Sequence, residues 1–299
     1  MLTEKTLFVI NLLSGTDKSR EKIITSIQQK YPNSDLIVIK TKTDFPIALQ
    51  KAREEKYQFV IINGGDGTIN SFLPILIEHN KVLGILPSGS GNGLARSLKL
   101  DLNGNKALNT IQEKTIQKID VGKLNIYQKE KKEGVYFSCA IGFGIDAAIA
   151  ETFESQKLRG FWGYVQASLK TIFSYHPIKA RVLVDDILIP DKSYLILSIM
   201  NIPQYGNDFY LAPSARMDDA TLNVVLLEKI NMLVYPYVLY NLIRRKEKSP
   251  MQYIKGKSIE INFPNTNTII LHIDGEPKYL NDVQQIQIEI IPNCLQVLC

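Results

Sequence analysis

The sequence predicts an α/β protein in which an N-terminal open parallel-sheet domain is followed by a C-terminal β-sandwich domain. Three observations predict it. Up to about residue 122, short apolar runs of buried-strand length alternate with helical segments. Two glycine-rich turns, Asn63-Gly64-Gly65-Asp66-Gly67-Thr68 and Pro87-Ser88-Gly89-Ser90-Gly91-Asn92-Gly93, each follow such a run and lead into a helix. Beyond that point strands succeed one another with few helices. The expected domains are 1–122 and 123–299, with the last strand, near 290–299, returning to the first domain.

Taken in order, residues 6–10 form the first strand, and a turn at 11–15 leads into a helix from about Lys18 to Tyr31. Residues 36–39 are the second strand, 45–55 a helix and 59–62 the third strand, with Thr68 expected to cap the helix that follows. Residues 82–86 are the fourth strand, and Asn92 is the expected cap of the helix from Leu94. In the second domain strands are expected at 135–140, 180–184, 194–200, 222–227, 258–263, 268–273 and 283–291. Helices are expected at 147–154, at 160–173 and within 231–246.

Glycines permit left-handed backbone angles and close approach of a ligand. Two such loops at the ends of neighbouring parallel strands present helix N-termini and backbone N–H groups to an anion, most simply a nucleotide phosphate. The candidate contacts are Gly64, Gly65, Asp66, Gly67, Thr68, Ile69 and Asn70 in the first loop, and Ser90 and Asn92 in the second. Alone, an Asp-Gly pair reads as a turn whose carboxylate bonds its own backbone; the paired loops favour the phosphate reading of Asp66. Asp274-Gly275-Glu276 follows an alternating strand, so a hairpin turn and a catalytic acid pair are both open there.

Composition narrows the partners. A net charge of +5 favours anions but lacks the basic, aromatic-interleaved stripe of a nucleic-acid binder. Three cysteines without metal-ligand spacing fit reduced thiols in the cytoplasm. No apolar run reaches the length of a membrane span. The segment 232–243, rich in Leu, Val and Tyr and followed by Arg244-Arg245-Lys246, is either a helix packed on the sandwich or one that lies on an anionic membrane.

Gly64-Gly65-Asp66-Gly67-Thr68, followed by the Pro87-to-Gly93 loop, resembles the diacylglycerol kinase catalytic domain shared by bacterial lipid kinases and by sphingosine and ceramide kinases, over nearly the whole chain. The resemblance implies a first domain of the NAD-kinase and phosphofructokinase type. It also implies ATP-dependent transfer of the γ-phosphoryl group, with Mg²⁺, to a lipid hydroxyl. Diacylglycerol is the favoured acceptor, and a sphingoid base or ceramide is the alternative, since Ser90-Gly91-Asn92-Gly93-Leu94-Ala95 is close to that form of the loop. A soluble-substrate kinase of the NAD-kinase type and a non-catalytic nucleotide-binding module are the rivals. By the same resemblance Asn11, Ser14, Gly15 and Thr41 join the nucleotide contacts, although Leu12 stands where the family has proline. Asp274 and Glu276 become the proton acceptors, with Asp66 on Mg²⁺ or nucleotide. Asp120 joins a water and Mg²⁺ network or pairs with a nearby lysine; Asp146 holds a lipid headgroup or is only a helix cap. The 211–221 loop takes a structural Mg²⁺ through the Asp219 carboxylate and the carbonyls of Arg216 and Thr221. Peripheral contact with the inner membrane face is implied, and a homodimer is left open.

Overall fold

The computed structural model describes residues 5–13, 20–128, 131–155, 171, 175–204, 209–264 and 268–299. They divide into two compact units, one of Met1–Ile119 with Asn293–Cys299 and one of Asp120–Pro292. The expected turn residues Ser14 and Gly15, and most of the expected helix at 160–173, lie outside the described residues.

In the first unit β1 (Thr6–Asn11), β2 (Asp35–Ile39), β3 (Phe59–Gly64) and β4 (Val82–Pro87) form a parallel sheet in the order β2-β1-β3-β4. β1, β3 and β4 are buried at every position, which is why they read as unbroken apolar runs rather than as an alternation. The connecting helices are α1 (Arg20–Lys30), α2 (Asp44–Ala52), α3 (Asp66–Glu78), α4 (Gly93–Ser97) and α5 (Gly104–Thr110). Phe8, Ile10, Ile23, Ile27, Phe59, Ile61 and Leu108 pack into one core cluster of this unit. The end of the last strand adds to the sheet in parallel, Gln296 opposite Val82 and Val297 opposite Leu83.

The chain leaves β1 for β2 on one side and returns to β3 on the other. The carboxyl ends of β1 and β3 therefore flank the switch point of the sheet, where helices depart in opposite directions and leave a crevice open to ligands.

The second unit is an antiparallel β structure, matching the expected sandwich. Its strands are β5 (Ile116–Gln128, which begins in the first unit), β6 (Lys132–Phe137), β7 (Ala140–Gly142), β8 (Ile178–Val184), β9 (Ile187–Met200), β10 (Leu222–Glu228), β11 (Gln252–Gly256), β12 (Ser258–Asn262), β13 (Thr268–Ile273), β14 (Glu276–Asn281) and β15 (Val283–Leu298, which ends in the first). Strands run in the order β14-β13-β7-β9-β8-β12-β15, with β10 between β9 and β11. β12 and the first half of β15 alternate buried and half-exposed residues, as strands with one wet face do. Leu124, Phe137, Val182, Leu197, Val224, Ile259 and Ile288 are among the side chains that fill the interior.

Strands β11 and β14 have no counterpart in the sequence reading. Among the described residues β11 pairs with β10 alone and β14 ends the sheet order, so both are edges whose residues carry little apolar alternation. Among the described residues, helices α6 (Ile145–Ser155) and α7 (Tyr235–Ile243) lie on this unit. A short 3₁₀ turn, Met232–Val234, precedes α7, with the Asn231 side chain accepting from the Leu233 N–H at 3.0 Å. Among the described residues no helix is long and apolar enough to cross a membrane.

Candidate functional site

At the switch point of the first unit, the buried Asn11 side chain donates from Nδ2 to Thr68 Oγ1 at 2.8 Å and accepts the Leu13 N–H on Oδ1 at 2.9 Å. One amide thus ties the turn after β1 to the first turn of α3. Thr68 was expected to cap α3, but the helix begins at Asp66 with Gly65 as its N-cap, and Thr68 lies inside the first turn. Its hydroxyl faces Asn11 instead. Gly64 leaves room for it, since a Cβ there would lie 2.6 Å from Thr68 Cβ.

Asp66 joins the two glycine loops. Its Oδ2 accepts the Gly93 N–H at 2.9 Å and its Oδ1 the Leu94 N–H at 3.1 Å. The carboxylate of one helix start therefore caps the next helix, where first-turn N–H groups lack partners and the dipole favours negative charge. Asn92 does occupy the N-cap position of α4, at φ +50°, yet its side chain turns back onto its own loop. It accepts the Gly89 N–H at 2.9 Å and donates to the Gly89 carbonyl at 2.8 Å. The two backbones meet at Gly65 and Gly89: a Cβ on Gly89 would stand 2.5 Å from Gly65 Cα. Gly65 has φ −98°, so it is glycine for proximity and not for a left-handed angle.

Gly67 and Asn70 are half-buried in α3, Ile69 is buried and Ser90 is exposed. Arg96, which no local pattern marked, donates from Nε to the Gly91 carbonyl at 2.9 Å and stiffens the second loop. Thr41 is exposed in a turn whose N–H groups, from Lys40 and Thr41, bond the Asp44 carboxylate at 2.8 Å each. Its hydroxyl lies 2.7 Å from that of Thr43 in the same turn.

In the second unit the candidate acids are held mainly by backbone. Asp274 and Gly275, at φ +50° and +87°, form the two-residue turn between β13 and β14, the left-handed pair a tight hairpin needs. The Asp274 carboxylate leaves that turn and crosses to another. Its Oδ1 accepts the N–H groups of Cys139 (2.8 Å) and Ala140 (2.9 Å), and its Oδ2 accepts the Ser138 N–H (2.8 Å) and Oγ (3.1 Å). Four bonds fill the roughly four lone-pair sites of a carboxylate. Glu276, two residues on, is exposed.

Asp146 is buried at the start of α6, where Oδ1 accepts the N–H groups of Gly144 (2.8 Å) and Ala147 (2.9 Å) and Oδ2 the Ser198 hydroxyl. His272 Nε2 lies 3.6 Å from the same Oδ2. Gly142 makes space for this cluster, because a Cβ there would overlap both Asp146 and His272. Asp146 is the second residue of α6, so its carboxylate meets these N–H groups from inside the first turn and not from the N-cap position. Asp120 is buried, accepts the Ala220 N–H on Oδ2 at 2.7 Å and donates its own N–H to the Met217 carbonyl at 2.7 Å. It thereby braces the 216–221 loop.

That loop fits Mg²⁺ poorly. Asp219 Oδ1 accepts the Thr221 hydroxyl (2.7 Å) and N–H (3.1 Å), and Oδ2 carries the Lys255 ammonium at 2.9 Å. Burial raises the Asp219 pKa, but the Lys255 and Thr221 bonds outweigh it and hold the carboxyl below its usual range. Arg216 pairs through both Nε and Nη2 with Asp218. Ala220 takes φ +54°, the left-handed angle for which glycine is the usual choice. Among the described residues no group of three His, Cys, Asp or Glu is placed to hold a metal.

Residues 5–124 match the family model of the diacylglycerol kinase catalytic domain, and residues 139–299 match that of the YegS C-terminal NAD kinase beta sandwich-like domain. The chain belongs by its N-terminal part to the diacylglycerol kinase catalytic domain family, and by more than half of its length to that of the YegS C-terminal domain. Curated relatives include the diacylglycerol kinase of Staphylococcus carnosus, 26% identical over 256 residues that cover 82% of this chain and 80% of the relative. That of Staphylococcus epidermidis is 24% identical over 254 residues, covering 82% and 78%. Two solved Bacillus anthracis structures align over the whole chain. One, provisionally assigned as a diacylglycerol kinase, has TM-score 0.79 at 20% identity and 96% coverage of its own chain. The other, described as a diacylglycerol kinase, has TM-score 0.71 at 17% identity and 97% coverage. At such identities these two show the fold alone. Membership of this kinase family makes the chain a phosphotransferase by descent.

The buried cluster of this family member has a pH consequence. Burial pushes the His272 pKa below 6.5, against the pull of Asp146 and Asp274. The unfolded chain therefore takes up a proton at about pH 6.5 that the native protein refuses until lower pH. The stability from neutral His272 is whole above that pH and is lost as pH falls through the window below it. Thermal melting from pH 8 to 5 is expected to show a steeper loss for wild type than for His272→Asn. Parallel curves would mean that His272 is not the group being charged.

Proposed function

We propose that this chain is an ATP-dependent lipid kinase that phosphorylates a lipid hydroxyl, with diacylglycerol as the acceptor its curated relatives are named for. The observation that carries the nucleotide half is the pair of glycine loops held in contact by Asp66 at the sheet's switch point. The N-terminal turn of α3, half-buried at Asp66 and Gly67, and the half-buried backbone at Gly91 offer N–H groups to phosphates. Thr68 and Asn11 fix that surface from behind.

In this reading the lipid oxygen forms a bond to the γ-phosphorus as the bridging oxygen to the β-phosphorus departs with ADP, and the hydroxyl proton passes to a carboxylate. Mg²⁺ that arrives with the nucleotide neutralises phosphate charge in such transfers. Of the expected pair, Asp274 has its lone pairs committed to the 138–140 turn, and taking a proton would break one of four bonds. We assign proton acceptance to the exposed Glu276 and give Asp274 the task of holding the turn that carries it. Asp66 likewise positions the loops, so the protein's metal or nucleotide contact through that carboxylate is not part of the reading.

The lipid half rests on α7. Val238 and Asn241 are its buried positions, while Leu233 (86% exposed), Met232, Tyr237, Tyr240 and Ile243 (49–56%) leave apolar surface in water. Arg244, Arg245 and Lys246 follow directly and are exposed. An apolar face with a basic end suits an anionic bilayer, which supplies both the depth and the counter-charge.

The deciding assay incubates the protein with labelled ATP, Mg²⁺ and separate micelles of diacylglycerol, a sphingoid base and ceramide, and asks which lipid gains label; label in none, with ATP still bound, would leave the soluble-substrate kinase and the binding module. Glu276→Gln is expected to lower kcat about 10²–10⁴-fold at unchanged melting temperature, the usual share of general acid–base catalysis. Asp274→Asn is expected to lower the melting temperature as well, because the 138–140 turn loses charged acceptors. The reverse pattern would move the base to Asp274. Gly65→Val is expected to abolish ATP binding by forcing the two loops apart at Gly89; ATP affinity equal to wild type would show that the loop contact does not serve the nucleotide. Reversal of Arg244, Arg245 and Lys246 to glutamate is expected to weaken sedimentation with anionic vesicles about tenfold or more, at about 1 kcal/mol per basic residue. Equal sedimentation would remove α7 from the membrane contact.

A further inference from the structure

The 216–221 loop has the sequence of a cation-binding turn and the contacts of a turn that already holds a cation. Asp219 is its one acid directed at the bend, and Oδ2 of that acid lies 2.9 Å from Lys255 Nζ. Lys255 is on β11, paired directly with Asn223 of β10, so its backbone is fixed by the ladder and its ammonium is delivered from the neighbouring strand. The other oxygen, Oδ1, is used by the Thr221 N–H and hydroxyl.

A divalent ion bound at about 2.0–2.1 Å from Asp219 would share an oxygen with the ammonium, and two cations that close repel strongly. The Met217 carbonyl accepts the Asp120 N–H, and the Ala220 N–H donates to the Asp120 carboxylate. The bend, with Ala220 at φ +54°, is thus supported at each end by bonds from within the chain. A tethered ammonium also differs from an ion in being present at every metal concentration.

We propose that the Lys255 ammonium takes the place of a structural cation in this loop, which is therefore held independently of divalent metal. The inference does not rest on the kinase reading, because it concerns a loop whose order is measured without nucleotide or lipid.

Mn²⁺, a hard cation that favours oxygen ligands, is the probe. In nucleotide-free protein, addition of Mn²⁺ is expected to leave the amide resonances of Ala220 and Thr221 sharp, and excess Mg²⁺ or EDTA to leave the melting temperature unchanged. Lys255→Met exposes the carboxylate, and its Ala220 and Thr221 resonances are expected to broaden at Mn²⁺ concentrations about tenfold or more below any that affect wild type. Asp219→Asn combined with Lys255→Met is expected to abolish that broadening. Wild-type resonances that broaden as readily as those of Lys255→Met would overturn the proposal. So would a wild-type melting temperature that climbs with Mg²⁺ and ceases to do so in Asp219→Ala; the wild-type arms decide the matter even where Lys255→Met fails to fold. A loss of kinase activity in any of these proteins bears on the catalytic reading alone.

Discussion

The first unit depends on one carboxylate placed between two helices. Asp66 starts α3 and caps α4, and through it two loops that are separate in sequence become one surface. Helix N-termini leave N–H groups without intrahelical partners, and a carboxylate is their strongest common acceptor. Once Asp66 occupies Gly93 and Leu94, Gly65 and Gly89 are drawn so close that a Cβ on either would stand 2.5–3.0 Å from the other's Cα, which only glycine avoids. The glycine content of both loops thus follows from a packing requirement between loops as much as from the needs of a ligand.

The second unit repeats the principle with other acids. Asp120, Asp146 and Asp274 lie far apart in sequence, and each sends its carboxylate to backbone N–H groups of a different segment: the 216–221 loop, the start of α6 and the 138–140 turn. A buried charge is costly unless hydrogen-bonded, and backbone amides are the partners always at hand in a β-rich core. These acids therefore hold irregular segments at fixed positions. Asn201 does the same with a neutral group, donating to the carbonyls of Asp120 and Ser138 at 2.9 Å each. Glu276, to which we propose to assign proton acceptance, is by contrast exposed.

Sequence by itself determined the fold class, because burial on both faces demands the unbroken apolar runs of β1, β3 and β4, and burial on one face demands the alternation of β12 and β15. It also determined that two glycine loops would follow neighbouring strands, since chain reversal at a strand end leaves a compositional mark. The edge strands β11 and β14 left no such mark, their residues being half wet whichever way they fold. Only the tertiary structure decided what each polar side chain does. Thr68 and Asn92 were legible as caps by position, yet one bonds Asn11, 57 residues away, and the other its own loop, while the cap of α4 comes from Asp66, 27 and 28 residues upstream. Lys255 meets Asp219 across 36 residues and His272 meets Asp146 across the sheet, with no periodicity to announce either. Hydrophobic patterning is a local property repeated along the chain, whereas a hydrogen bond or ion pair is specific to two atoms that the finished fold brings together.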